Sequence, residues 1–232
     1  MEPSDNRGVA ANERLTAMAG AALLVVFVVE VGTVSNLGTL LSIHVFVGVL
    51  MVGPLAVKLG STGWRSVRYY TGNPAFVRHG PPRLWLRLLA PVVVASTLAV
   101  VGSGFALAVT GPARPGPFVA LHVISFLVWV PAMAIHVAGH FLEVPRLIAK
   151  DWRRDASDPA PERRLRHGVT LGTLAAGAIA AALLSPAAAP WTAWVDAGNA
   201  PGHAFLVVGL GLAALGLLVT WLVRWLQRWT RP

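Results

Sequence analysis

The chain has 232 residues, 55% hydrophobic and only 12% charged, a composition that excludes an ordinary soluble domain, in which about a quarter of the residues are charged. The net charge of +9 does not indicate a nucleic-acid partner, because the basic residues cluster between long uncharged runs. The absence of cysteine excludes prosthetic groups and metal clusters bound through thiolates of this chain.

Hydropathy along the chain predicts six transmembrane helices and therefore an all-α integral membrane protein. The predicted spans cover about residues 14–34, 37–59, 85–110, 117–143, 168–189 and 203–225. Residues 1–12 are predicted to form a polar, disordered tail, and residues 60–84 are predicted to form a basic loop. Residues 146–167 are predicted to form a second basic loop, after which residues 168–232 hold two additional helices and a basic C-terminus.

The distribution of basic residues predicts how the spans are oriented. Six of the 19 lysines and arginines lie between Lys58 and Arg87, and seven lie between Arg146 and Arg166. With six spans, both loops and both termini fall on one side, which then carries every basic residue except Arg114. Because cytoplasmic loops are enriched in lysine and arginine, we expect a multi-pass protein of the cell (inner) membrane with both termini in the cytoplasm.

The fourth predicted span carries three histidines in an otherwise apolar run, His122, His136 and His140. At about 100° per residue, the step from His122 to His136 returns to within roughly 40° of the same face, and the step to His140 returns fully. Ionisable residues at membrane depth are costly and mark function. The stripe is therefore a candidate binding site, with hydrogen bonding to neighbouring helices as the structural alternative.

The second predicted span contains His44, with Gly48 one helical turn later. Spans two and four run in the same direction, and His44 and His122 lie a similar number of residues from their outer ends, so both fall at nearly the same depth. Two imidazoles at one level, beside Gly48 and the glycines Gly102 and Gly104, are typical of a haem site. A zinc site needs four ligands, and the other two are not found at this depth.

The histidine pattern resembles that of bacterial cytochrome b561-like proteins and of the related b-type membrane subunits of formate dehydrogenases and nickel–iron hydrogenases. The resemblance covers roughly residues 13–145 and rests on His44, on His122 and His136, and on the stretch Ser103-Gly104-Phe105-Ala106-Leu107. It implies a four-helix haem-binding core followed by two appended helices. It also implies that His44 and His122 are the axial ligands of one haem b.

The sequence departs from that family at the inner haem, whose ligands are the later histidine of helix four and a histidine near the start of helix one. Here Asn12–Met18 contains no histidine, so His136 lacks its expected partner, while His140 lies one turn further along. The inner site is lost, or it uses His79 or His167, or another subunit completes it. We expect one haem b, and the question of a second haem stays open. The candidate cofactor-binding residues are His44, Gly48, Gly104, His122, His136 and His140, with the iron ligands drawn from His44, His122 and His136.

These features predict a membrane cytochrome b that relays electrons between a quinone or quinol and a partner redox protein. We expect a membrane anchor or electron-transfer subunit in the lipid bilayer, not a stand-alone enzyme, and no catalytic residue is assigned. Two alternatives stay open: a histidine-lined transporter of metal ions or protons, and a structural membrane subunit without cofactor. A transport path would need acidic partners, and the predicted spans offer only Glu30 and Glu143.

Overall fold

A computed structural model describes residues 3–80, 84–140, 146–149, 160–200 and 204–229 of the chain. Within these ranges the regular structure is entirely helical, and no strand occurs there. Helices suit a bilayer because they satisfy the backbone N–H and C=O groups within one segment. The prediction of an all-α protein is confirmed for this part of the chain.

The helices are numbered here in chain order. They are α1 (Pro3–Thr33), α2 (Leu37–Leu50), α3 (Val52–Tyr70), α4 (Pro74–His79), α5 (Leu84–Thr110), α6 (Phe118–His140), α7 (Ala160–Leu184), α8 (Ala189–Trp194) and α9 (Ala204–Trp229). A 3₁₀ turn at Val34–Asn36 joins α1 to α2. A second 3₁₀ turn, Ser185–Ala188, precedes α8, and a π turn, Val195–Asn199, follows it. Residues 146–149 form one further helical turn.

Five helical segments in the described ranges are long and apolar enough to cross a bilayer: Arg7–Tyr70, Leu84–Thr110, Phe118–His140, Pro161–Asn199 and Ala204–Leu222. A single crossing of the hydrocarbon layer takes about 17–25 helical residues. The chain is therefore a multi-pass membrane protein, as its composition predicts. The first segment has 64 residues, far more than one crossing needs.

Several helix ends lie outside the limits predicted from hydropathy. α1 begins at Pro3, within the predicted disordered tail, and α3 continues to Tyr70 through the predicted basic loop. α7 begins at Ala160, within the second predicted loop. Hydropathy predicts which residues lie in the bilayer, but it does not predict where a helix ends. A helix can continue beyond its apolar part where tertiary contacts support it. The ion pair of Arg65 with Glu13, at 3.1 Å, provides such support.

The chain divides into two compact units that interleave along the sequence. Unit 1 comprises Met1–Gly32, Phe46–Pro82 and Phe141–Ser185. Unit 2 comprises Thr33–Val45, Arg83–His140 and Pro186–Pro232. Most of α1, together with α3 and α7, lies in unit 1, while α5, α6 and α9 lie in unit 2. The sequence-based division into a four-helix core and two appended helices follows chain order and stays a prediction.

In unit 1, α1 and α3 are antiparallel and joined by polar contacts near one end. Beyond the pair of Glu13 with Arg65, the Thr16 and Ser61 hydroxyls lie 2.8 Å apart. The Lys58 ammonium donates to the Thr16 carbonyl oxygen at 3.1 Å. Residue numbers rise along α1 as they fall along α3, so the 64-residue segment folds back on itself.

The middle of unit 1 is apolar and closely packed. α7 approaches the rest of the unit through glycine, since a Cβ at Gly177 would stand only 2.6 Å from the Leu50 carbonyl oxygen. Close approach of backbones through small residues stabilises helix pairs in lipid, where apolar side chains gain little by leaving the lipid tails. Buried apolar side chains of α1 and α3 in this unit include Leu23, Val26, Phe27 and Leu55.

Unit 2 is built around α6, which packs against both α5 and α9. The buried Trp129 indole donates to the Thr97 hydroxyl at 2.9 Å, and this bond ties α6 to α5. Phe126 of α6 and Phe205 of α9 meet with their ring centroids 5.7 Å apart. Because α6 carries three of the histidines, its packing in unit 2 determines where those side chains lie.

Candidate functional site

The candidate site lies in unit 2, where the end of α1, the first part of α2, α5 and α6 supply its residues. His44 belongs to α2, and the 3₁₀ turn before α2 brings Thr33, the last residue of α1, against it. The Thr33 hydroxyl is 2.9 Å from Nδ1 of His44, and the Thr33 side chain is buried. Thr33 therefore orients the imidazole ring through its Nδ1.

His122 belongs to α6, and the Ser103 hydroxyl of α5 lies 3.1 Å from its Nδ1. The same hydroxyl is 2.6 Å from the Ala99 carbonyl oxygen, which can only accept a hydrogen bond. When the hydroxyl proton goes to Ala99, the Ser103 oxygen can accept from Nδ1–H of His122, so the direction of this bond follows the tautomer of the ring. The tautomer with the proton on Nδ1 leaves Nε2 unprotonated, the form in which an imidazole binds a metal.

His44 and His122 lie side by side. Their ring centroids are 6.1 Å apart, and the ring planes are nearly perpendicular, at 87°. Each ring has its Nδ1 against a hydroxyl group, so Nε2 is the nitrogen that a metal would take on each. The structure thus brings together the two histidines expected at equal depth, while their role as iron ligands stays a prediction.

The separation of the two rings suits one metal ion between them. An imidazole nitrogen binds a metal at about 2.0–2.1 Å, and the ring centre is ~1.1 Å farther away, so two opposed imidazoles have centres about 6 Å apart. The observed separation of 6.1 Å is close to this value. Outer hydrogen-bond partners such as Thr33 and Ser103 are also what metal-binding histidines use. The distance between the ring centres is therefore compatible with one iron ion between the two histidines.

The glycines expected beside the haem have different neighbours. A Cβ at Gly104 would be 3.3 Å from Cε1 of His122, so Gly104 makes room for the imidazole itself. A Cβ at Gly48 would be 3.3 Å from a carboxylate oxygen of Glu30. Gly102, two residues before Gly104, has open space at its Cβ position. A flat ligand against Gly48 or Gly104 stays a prediction.

His136 and His140 are neighbours on α6. Their ring centroids are 4.9 Å apart, and the rings are tilted by 58°. The three histidines expected to bind iron do not form one group, because His44 and His122 lie together and His136 lies beside His140. In the ranges described above, no group of three or more His, Asp or Glu side chains is arranged to hold a metal ion.

The residues considered for the inner site have contacts of their own in unit 1. Asn12, at the start of the stretch that lacks a histidine, donates to the Ser61 carbonyl oxygen at 3.2 Å. Nε2 of His79 is 2.7 Å from a Glu13 carboxylate oxygen. His79 ends the short helix α4, although a loop is predicted there. His167 lies in α7, and Glu143 lies outside the described residues.

Thr33 is the site residue that the sequence does not reveal. Hydropathy shows only that a threonine at this position lies near the end of a span. The signal that could have found it is the short connection, because so few residues between two helices force the end of α1 to face the start of α2. Ser103 does stand in the stretch quoted for the family resemblance, but its hydrogen bond to His122 follows only from the packing of α5 against α6.

Two imidazoles from different helices, each oriented by a hydroxyl, form a candidate pair of ligands for one metal ion. No protein family, curated protein or solved structure matches the chain. The function assigned to the site therefore rests on the geometry of the pair and on the spacing of the histidines.

Proposed function

We propose that the chain is a membrane-embedded b-type cytochrome in which His44 and His122 hold one haem b. A single observation carries the proposal. The two imidazoles stand 6.1 Å apart on separate helices, with Nδ1 of each against a hydroxyl group. The resemblance of the histidine spacing to that of bacterial b-type cytochromes adds support.

Haem b, when bound, supplies an iron centre that takes up and gives back one electron. The residues of the chain prepare the site for it. Thr33 and Ser103 orient the two rings through Nδ1, and Nε2 of each ring would then be the nitrogen that binds the iron. A haem held by both His44 and His122 would have two protein ligands, which would suit electron relay better than a reaction with substrate.

The proposed architecture has six transmembrane helices, of which the first four form the haem-binding core. The antiparallel contacts between α1 and α3 support two crossings within the 64-residue segment, and each of the other four segments counts as one. The clustering of 18 of the 19 basic residues on one side of such a topology supports cytoplasmic termini in the cell (inner) membrane.

We infer that the relay runs between a quinone or quinol in the bilayer and a partner redox protein. His44 is near the start of α2, and His122 is near the start of α6. At about 1.5 Å per residue, both lie within roughly 6–11 Å of those helix starts. This depth supports electron exchange at one face of the membrane. The chain then serves as a membrane anchor or electron-transfer subunit, and a second haem at His136 stays open.

The test is a reduced-minus-oxidised absorption spectrum of the protein purified in detergent from haem-sufficient cells. We expect the narrow bands of a low-spin b-type haem, because two histidines hold the iron. A colourless protein would overturn the proposal. Uptake of metal ions or protons by proteoliposomes would then identify a transporter, and the absence of both colour and uptake would leave the structural subunit.

A further inference from the structure

The contacts between α5 and α6 define two ends of unit 2. At one end, the Ser103 hydroxyl of α5 meets the ring of His122 on α6. At the other end, the Trp85 ring of α5 packs against α6, 2.7 Å from where a Cβ on Gly139 would stand. The two helices are therefore antiparallel. Residues 111–117, which connect them, belong to the end that carries the histidine pair, called here the His122 end.

The opposite end, called here the Gly139 end, is basic. Arg87 is in the first turn of α5 and therefore belongs to it. α9 runs in the same direction as α6, because Phe205 meets Phe126 and the later Gly216 packs against the later Ile135. The arginines in the last turns of α9 are therefore also at the Gly139 end.

Arg114 lies in residues 111–117 and is the only lysine or arginine at the His122 end among the described residues of unit 2. Its side chain is exposed. The level of His122 is about 6 Å from Phe118, where α6 begins, at about 1.5 Å per residue. One arginine thus stands apart from the other basic residues of the unit, close in depth to the two imidazoles.

No described acidic residue forms an ion pair with Arg114. Of the ten acidic residues of the chain, only Asp196 falls within the sequence ranges of unit 2. Its carboxylate lies beside the first turn of α2, 3.9 Å from where a Cβ on Gly38 would stand, and its side chain is exposed. The guanidinium group can therefore pair with a carboxylate that does not come from the described chain.

We propose that Arg114 binds a propionate group of the haem held by His44 and His122, an inference that rests on the proposed function. Haem b has an apolar ring with two propionate carboxylates at one edge. A carboxylate at membrane depth is costly unless it reaches water or a cation. A guanidinium group matches a carboxylate with two parallel hydrogen bonds. The propionate edge of the haem is therefore directed towards residues 111–117.

The first experiment changes the protein and the cofactor together. Apoprotein with the natural sequence and the Arg114→Gln variant are each titrated with haem b and with haem b dimethyl ester, whose propionates are uncharged. With haem b, Arg114→Gln should bind about tenfold more weakly, because charge-assisted hydrogen bonds are lost. With the ester, the two proteins should bind equally, because there is no carboxylate for the guanidinium to hold.

The second experiment measures the midpoint potential of the bound haem b. Without the guanidinium, the negative propionate favours ferric iron, so the ferric-to-ferrous ratio at a fixed potential should rise about threefold in Arg114→Gln. Arg114→Lys keeps the charge and should change the ratio less. The matched control is Arg87→Gln, the same substitution at the Gly139 end, which should leave haem affinity and the ratio unchanged.

Three outcomes would overturn the proposal while leaving the cytochrome intact. One is an equal loss of affinity in Arg114→Gln for haem b and for the ester, because the loss would then not involve the propionates. Another is an unchanged affinity and potential in Arg114→Gln. The third is an equal change in Arg87→Gln, which would show a general effect of charge. A natural protein that binds neither haem b nor the ester would instead overturn the proposed function, and this inference with it.

Discussion

Gly104 of α5 has no side chain at the point where the His122 ring of α6 packs against it. A Cβ on residue 104 would stand 3.3 Å from Cε1 of the imidazole, closer than ordinary van der Waals contact. The preceding residue, Ser103, bonds Nδ1 of the same ring at 3.1 Å. Two adjacent residues of α5 therefore leave space for the ring and set its direction, so the position of His122 depends on α5 as well as on its own helix.

Gly104→Ala should destabilise the protein because the added methyl group forces the His122 ring to move. Overpacking of this kind costs about 1–3 kcal/mol, which lowers the unfolding midpoint by roughly 2–10 °C. The matched control is Gly102→Ala, at a position with open space, where the better helix former should leave the midpoint unchanged or raise it. Equal midpoints for the two variants would contradict the contact.

Ser103→Ala should weaken haem binding by about 10–100-fold, because the His122 ring loses the hydroxyl group that orients its Nδ1. The measurement is haem titration of the apoprotein, together with the midpoint potential of the bound haem. Ser125→Ala is the control, since the Ser125 hydroxyl donates to the His122 carbonyl oxygen and not to the ring. If both variants lose the same affinity, the ring contact has no special role.

His44→Ala and His122→Ala should each abolish the low-spin spectrum, because either change opens one axial position and weakens haem retention. The measurement is the reduced-minus-oxidised spectrum of each variant at matched protein concentration. His79→Ala serves as the control, because its ring contacts Glu13 in unit 1. An intact spectrum in His44→Ala, with loss in His140→Ala, would place the haem at the other histidines of α6.

The haem-to-protein ratio should be near one, since no histidine occupies the stretch from which the family draws its second inner ligand. His136→Ala should then leave most of the haem in place. A pyridine haemochrome assay combined with amino-acid analysis measures the ratio. A ratio of two that falls to one in His136→Ala would show that the inner site exists and has found another ligand.

Gly177→Ala should destabilise unit 1 strongly, because the new Cβ would meet the Leu50 carbonyl oxygen at 2.6 Å and a backbone cannot rotate away. We expect a loss at the upper end of the range of about 1–3 kcal/mol for overpacked sites, measured by thermal unfolding. Gly172→Ala, on the same helix with open space at its Cβ position, is the control and should be neutral or stabilising. A neutral Gly177→Ala would mean that α7 does not pack there.

The proximity of His44 and His122 could be predicted because it depends on the number of residues between each histidine and the start of its helix. Two helices that enter the bilayer from the same face, with a histidine a similar number of residues inside each, place both side chains at one level. The rings do lie together, 6.1 Å apart. Membrane crossing and the all-helical fold could be predicted for the same kind of reason, since both follow from composition averaged over many residues.

The hydroxyl partners and the helix ends could not be predicted in this way. Whether Thr33 turns its hydroxyl towards His44 depends on the rotation of one helix against another, which packing sets and hydropathy does not record. The extension of α3 to Tyr70 depends on its contacts with α1. The residues that make these contacts are more than forty positions apart in the chain. Such long-range contacts leave no periodic signal within one segment.

The interleaving of the two units affects when the histidine pair can form during insertion of the chain into the membrane. Unit 2 joins Thr33–Val45 to Arg83–His140, so the two imidazoles that share the site leave the ribosome 78 residues apart. When α1 to α3 have entered the bilayer, His44 and its threonine are in place, but the opposing ring and its serine have not yet been inserted. A nascent chain that ends before α6 therefore contains only one of the two histidines, and the pair is complete only after α6 has been inserted.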